Sequence, residues 1–348
     1  MYKYRFFNDY SEGAHPRILE LMAASNLDQE EGYGNDSLSR QAEARIRQLM
    51  DCPTVAVHFV SGGTQANRIA LAALLKPYES VVAAETAHIS VHEAGAIEST
   101  GHKVNTVRTT DGKLTPAQVQ SVIDQHTDEH MVKPKVVFVS NSTEVGTVYS
   151  RAELAALSQL CRQKGLNLYL DGARLGSALT CRGSDLSLAE VGRLVDVFYI
   201  GGTKNGALLG EAIVLCRPEL QPDYRFHVKQ HGGLLAKGRL LGVQFLGLFT
   251  DDLFFDLARH ANLMAERLSQ GLADQGFGFL TPAATNQIFP IFPMGLIEAL
   301  QKDYGFYVWA PADAGHGVVR LVTSWATPPA KVDEFLDSVR ALSASLPR

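Results

Sequence analysis

Cysteine is scarce in this sequence, and the four present, Cys52, Cys161, Cys181 and Cys216, are widely scattered. No two stand at a C-x-x-C spacing, which argues against a zinc knuckle or a dithiol redox motif. Few, scattered thiols suit a reducing compartment rather than a disulfide framework. Positive charge is short as well: 32 Lys and Arg against 37 Asp and Glu leave a formal net charge of −5. Such a chain lacks the electrostatic footprint of a nucleic-acid or acidic-membrane binder. No apolar run approaches the ~20 residues of a membrane span, and the opening segment Met1–Asp9 has no apolar signal-peptide core. The nucleotide patterns G-x-G-x-x-G and G-x-x-x-x-G-K-[ST] are missing too, which weakens an NAD- or ATP-using reading. These absences predict a cytoplasmic protein whose partner is a small molecule, with no nucleic acid and no membrane.

What is present is ordinary globular composition, 46% hydrophobic and 20% charged, in a chain long enough for two domains sharing a cleft. From about residue 54 to 216, short apolar runs alternate with helical patterns. Val55–Val60, Ser80–Ala84, Lys103–Val107, Val136–Ser140, Leu166–Leu170, Val195–Ile200 and Ala212–Leu215 read as strands. Thr64–Lys76 and Arg151–Lys164 read as helices, and Thr115 before Pro116 marks another helix start. This alternation predicts an α/β fold with a mostly parallel sheet covered on both faces. Beyond residue 230 the pattern changes. Helical stretches at 234–249 and 251–274 precede a strand near Gln287–Ile291, a helix from Met294, a strand at Val318–Val322 and a last helix from Pro328. We therefore expect a large domain over 1–245, including the N-terminal segment, and a smaller C-terminal α+β domain over 246–348. The first 50 residues offer one short helix around Pro16–Ala24 and a glycine-rich turn at Gly32–Asp36.

Ligands of open α/β sheets bind at the carboxyl ends of the strands, and three polar clusters fall there. Ser61-Gly62-Gly63-Thr64 follows a strand and opens a helix, where free N–H groups attract phosphate. Taken alone it is as well explained by a glycine turn with Thr64 as helix cap. Asp171-Gly172-Ala173-Arg174 follows the strand Leu166–Leu170. An aspartate here can cap a loop, or it can pair with a heterocyclic N–H and keep that ring an electron sink. Gly201-Gly202-Thr203-Lys204-Asn205-Gly206 places a lysine directly after an apolar strand. Most loop lysines are solvated, but one turned into a crevice, with its pKa lowered, can form a Schiff base. His88-x-x-x-His92 has helical ligand spacing with Glu93 beside it. No third ligand accompanies it, so no metal site is expected.

Phosphate cup, aspartate and lysine, in that order, resemble the fold-type I pyridoxal-phosphate enzymes. The chain more closely resembles the threonine aldolase and β-eliminating lyase family over nearly its whole length. The matching segments are Asn8–Ser11, Tyr33–Asp36, Ser61–Asn67, Glu85–His88, Thr143–Gly146, Asp171–Arg174, Gly201–Gly206 and Arg320–Trp325. The resemblance implies pyridoxal 5'-phosphate as cofactor and a low-specificity aldolase. Such an enzyme splits L-threonine, L-allo-threonine or a related L-3-hydroxy-α-amino acid into glycine and an aldehyde. It implies that Lys204 carries the cofactor, Asp171 meets the pyridine nitrogen, His88 stacks on the ring, and Gly63 and Thr64 hold the phosphate. Arg174 and Arg320, helped by Asn8, would bind the substrate carboxylate, since a planar guanidinium fork matches it.

Two departures stand out. Many family members have serine at the position of Asn8 and histidine at that of Glu144. The base for the β-hydroxyl is thus His88 or Glu144. The family also brings a cation from a neighbouring subunit to the phosphate. Leu235 stands where some members have arginine, so Lys237 or Arg239 is the substitute, and a homodimer or homotetramer with shared sites is implied. Other reactions on the same cofactor, such as β-elimination, transamination or racemisation, a phenylserine-selective aldolase, and a non-catalytic binding protein are the rival readings.

Overall fold

A two-residue strand, β1 (Tyr4–Arg5), begins the computed structural model, which describes residues 2–345. Seven later runs pair into one sheet: β2 (Ala56–Val60), β3 (Glu79–Ala84), β4 (Val104–Val107), β5 (Lys133–Ser140), β6 (Asn167–Asp171), β7 (Val197–Gly201) and β8 (Glu211–Leu215). Their order is β2-β8-β7-β6-β5-β3-β4. Only β8 runs against its neighbours, β2 and β7. Strands β3, β7 and β8 are buried at every position. Helices cover both faces, which is why the sequence shows unbroken apolar runs rather than alternation.

Local chemistry sets the helix ends. Thr115 accepts from the N–H of Gln118 while the Gln118 side chain reaches back to Thr115, with Pro116 in the first turn. Ser150 and Glu153 make the same reciprocal cap for Arg151–Lys164, and Gly165, at φ +65°, ends it. The helix Ser37–Leu49 escaped the sequence reading because its buried face is mostly small, Ser39 and Ala42 with Ile46. Smallness has a purpose: this helix packs closely on Arg239–Leu248, where a Cβ at Gly242 would lie 2.1 Å from the Ser39 hydroxyl. Residues 234–238, expected as helix, form the loop before that helix. The short helix Tyr224–Gln230 was also not foreseen.

The second sheet gathers β9 (Gln287–Ile288), β10 (Ile291–Pro293), β12 (Tyr307–Pro311) and β13 (His316–Val322), with β10 and β12 flanking β13. Strand β11 (Tyr304–Gly305) pairs with β1. A second hydrophobic core forms here from Phe6, Leu268, Phe292, Leu321 and Phe335. The N-terminal strand therefore lies with the small domain, not with the large one as the sequence suggested. The helix Leu253–Asp274 serves both cores, Phe254 and Leu257 in the first and Met264 and Leu268 in the second. That helix, just beyond the boundary expected at 245/246, thus links the two cores.

Candidate active site

The parallel strands end on one edge of the large sheet. Strand β3 leads to Glu85–His88, β5 to Thr143 and Glu144, β6 ends on Asp171, and β7 leads to Lys204. Between this edge and β12–β13 lies a cleft of about 690 Å³. Lys204, Arg174, His88, Glu144, Arg320 and Trp309 line it. Five side chains singled out in the sequence thus converge on one space.

Lys204 lies half-buried in the cleft. Burial, with help from Arg174, pulls its pKa below the ordinary lysine value, against the pull of Asp9, Glu144 and Asp171. The turn that carries it is braced from beneath. Gly202 donates its N–H to Glu211 Oε2 (3.1 Å), and burial pushes that carboxyl up to about 8.

Asp171 is buried and holds three donors. The Tyr199 hydroxyl and the Ala173 N–H donate to Oδ1 (2.6 and 3.0 Å), and Asn67 Nδ2 donates to Oδ2 (3.1 Å). The same Asn67 nitrogen donates to Glu93 Oε1 (2.7 Å), and Tyr169 donates to Asn67 Oδ1 (2.9 Å). His88 Nδ1 meets Glu93 Oε1 at 2.8 Å. A carboxylate only accepts, so Nδ1 carries the hydrogen and Nε2 holds the lone pair of the neutral ring. Burial lowers the His88 pKa, but the Glu93 hydrogen bond, with Glu144 and Asp171, outweighs it and the net shift is upward. Asn67, Glu93 and Tyr199 were not assigned roles from the sequence. Glu93 was weighed there only as a metal ligand, and its five-residue offset from His88 was the available signal.

Arg174 is bound on both sides of a fork by Asp9, Nε to Oδ2 at 2.7 Å and Nη2 to Oδ1 at 3.1 Å, both residues buried. Asn286 Nδ2 also donates to Asp9 Oδ2 (2.9 Å). Burial raises the Asp9 pKa, yet Arg174 and then Lys204 more than offset it, so the carboxyl stays below its usual range. Arg320 donates from Nε and Nη2 to Gln287 Oε1 (3.2 and 2.8 Å) and stacks 5.5 Å from the Trp309 ring centre. Each arginine keeps Nη1 outside these bonds.

Other expected residues lie elsewhere. Asn8 Oδ1 accepts from the Tyr10 N–H and the Ser11 hydroxyl, both 3.0 Å, so that oxygen caps its own turn. Among its neighbours, Tyr10 lines the cleft and Asp9 holds Arg174. The helix Gly63–Leu74 begins with Gly62 as N-cap and no capping side chain, so Thr64 is not its cap. Gly63 packs on Tyr199, whose hydroxyl would lie 3.0 Å from an added Cβ. Gln65 closes the turn by accepting from the N–H and hydroxyl of Ser61 (3.0 and 2.9 Å). Lys237 is exposed and does not line the cleft of its own chain, while Arg239 is tied to the carbonyls of Ser25 and Asp28.

Comparison with known proteins shows the family and fold of this chain. The profile of the family described as beta-eliminating lyase matches residues 9–293. A low specificity L-threonine aldolase of a Pseudomonas species is 37% identical over 98% of both chains. That of Pseudomonas aeruginosa is 38% identical over 97% of both. A solved Leishmania major threonine aldolase superposes with TM-score 0.96 at 47% identity, covering 97% of this chain and 99% of that one. A Thermus thermophilus aspartate aminotransferase, 18% identical, shares the fold at TM-score 0.72.

Proposed function

This chain belongs to the beta-eliminating lyase family and has the fold of the fold-type I pyridoxal-phosphate enzymes, and from that premise we propose that it is an aldolase. Its substrates are L-threonine, L-allo-threonine or related L-3-hydroxy-α-amino acids, and its products glycine and an aldehyde. The carrying observation is the single cleft that joins Lys204, His88, Glu144, Arg174 and Arg320.

The residues present fit pyridoxal 5'-phosphate. The lowered proton affinity of Lys204 favours the free amine needed for covalent attachment. A carboxylate has about four lone-pair positions; Asp171 has three in use, which leaves one for a ring N–H. The first turn of Gly63–Leu74 offers N–H groups, and Thr64 a hydroxyl, to a phosphate. His88 would lie against the ring. When bound, the cofactor supplies an electron sink for the pair released from the Cα–Cβ bond.

Arg320 and Arg174 hold the substrate carboxylate. Because two nitrogens of each are occupied, each contributes its Nη1, one from either domain. His88 Nε2 takes the β-hydroxyl proton, while Glu93 fixes the ring and offsets the charge that arrives. Glu144, on the same cleft wall, adds negative charge beside that imidazolium. The working form is a cytoplasmic homodimer or homotetramer, in which Lys237 of one chain reaches the phosphate of another.

A panel of L- and D-3-hydroxy amino acids, assayed for aldehyde and glycine, tests the reading; pyruvate and ammonia in their place would overturn it. Arg320→Ala should raise KM roughly 10–100-fold, the scale of a lost charge-assisted hydrogen bond. An unchanged KM removes Arg320 from substrate binding. Glu93→Gln should lower the His88 pKa, since the partner that outweighs burial is weakened. The acid limb of the pH–kcat profile then moves to lower pH, and an imidazole titration by NMR that does not move refutes the link.

A further inference from the structure

A second concave site lies away from the cleft, on the flank of the helix Gly63–Leu74. It is a groove of about 490 Å³ between that helix, the helix Tyr224–Gln230 and the turn before β4. Its polar lining is Arg68, Thr100, His102, His227, Gln230 and His231, and no carboxylate is among the described residues that line it. Arg68 Nε is buried without a protein acceptor, and so is His227 Nδ1 without a partner. His102 directs Nδ1 to the carbonyl of Glu79 (3.2 Å), which fixes that nitrogen as a donor. His231 is held below the usual imidazole range, by burial first and then by Arg68 and His227. Native chains seldom leave buried donors unpaired, because nothing replaces the water they lost. Here cationic and donor groups are gathered with no acid to answer them.

We propose that this groove binds a phosphate-type oxyanion, held by Arg68, His227, His231 and Gln230. The donors come from two separate helices and the C-terminal end of one of them, and a tetrahedral oxyanion can accept from several directions at once. A planar carboxylate is satisfied by one fork from one side, so it would leave part of this set unused. The anion meets the Arg68 guanidinium, whose charge no carboxylate among the described lining residues answers. The groove has room for inorganic phosphate or for the phosphate group of a small monoester, which share this chemistry. The site does not depend on the reaction proposed above. It does share a helix with it, since Arg68 follows Asn67, the residue that holds Asp171.

The test is equilibrium dialysis of labelled inorganic phosphate against protein saturated with pyridoxal 5'-phosphate, so that the cup at Gly63 is already filled. Ionic strength is held constant with chloride. Saturable binding of one phosphate per chain is expected. Arg68→Met should weaken it about tenfold or more, as the strongest, charge-assisted contacts are lost. His227→Gln should weaken it by a smaller factor, and it carries the test if Arg68→Met fails to fold. Competition by a small phosphate monoester tells the sources apart: displacement at lower concentration than phosphate itself identifies an esterified ligand, and displacement only at higher concentration identifies the free ion. Unsaturable binding, or equal affinity in the wild type and both variants, overturns the proposal. If an acidic side chain from a second copy fills the groove instead, phosphate does not bind and the proposal falls.

Discussion

Replacing Lys204 with alanine should abolish the borohydride-fixable link between protein and cofactor. It should also cut turnover on the order of 10⁴-fold or more, the scale seen when a covalent catalytic group is deleted. The argument rests on position as much as on residue type. Lys204 follows a strand buried at every position, and Gly202 and Glu211 brace its turn. Its proton affinity is lowered by burial and by Arg174, so the amine is available for attachment. No other lysine lines the cleft among the described residues. A variant that still fixes cofactor after borohydride would end the assignment, and near-normal turnover would do the same.

The second large effect is on stability. Asp9→Ala should cost about 3–5 kcal/mol, because it leaves the buried Arg174 charge without its partner. Asp9→Asn keeps the shape and some hydrogen bonds and should cost less. Urea unfolding of the three proteins decides it, and a loss under about 1 kcal/mol for the alanine variant would show that water or another group replaces the carboxylate. The pH dependence has a definite sign. The folded carboxyl lies below its unfolded value, so the contribution is present above the ordinary aspartate range and is lost as pH falls through the folded value. Exposed pairs such as Lys3 with Asp303 should add little to this.

Much of the large domain was legible because its strands are buried on both faces and its helices carry explicit caps. Thr115 with Pro116 and Ser150 with Glu153 mark their helices in the sequence itself. The helix Ser37–Leu49 was not legible, since close packing against Gly242 demands small residues and erases the apolar stripe. Strand β12 was missed for a related reason: it lies at the cleft edge with Tyr307 and Val308 exposed, so no alternation of burial marks it. At the site, the residues that would touch substrate or cofactor stood out through their motifs. The residues that hold them, Asp9, Asn67, Glu93 and Gln287, did not. Except for Glu93, which stands five residues from His88, their partners are distant in the chain, as Asn67 is from Asp171 and Gln287 from Arg320, and only the fold brings them together.

The helix Leu253–Asp274 has a consequence for how the molecule comes apart. A 22-residue helix whose two halves are embedded in different cores provides no seam between them. Loosening one core withdraws support from the helix on which the other is built. The N-terminal segment adds a second tether, from Phe6 just after β1 in one core to Ile18 of the helix Pro16–Ala24 in the other. The two cores should therefore unfold together, with damage to the small one felt at the catalytic edge of the large one.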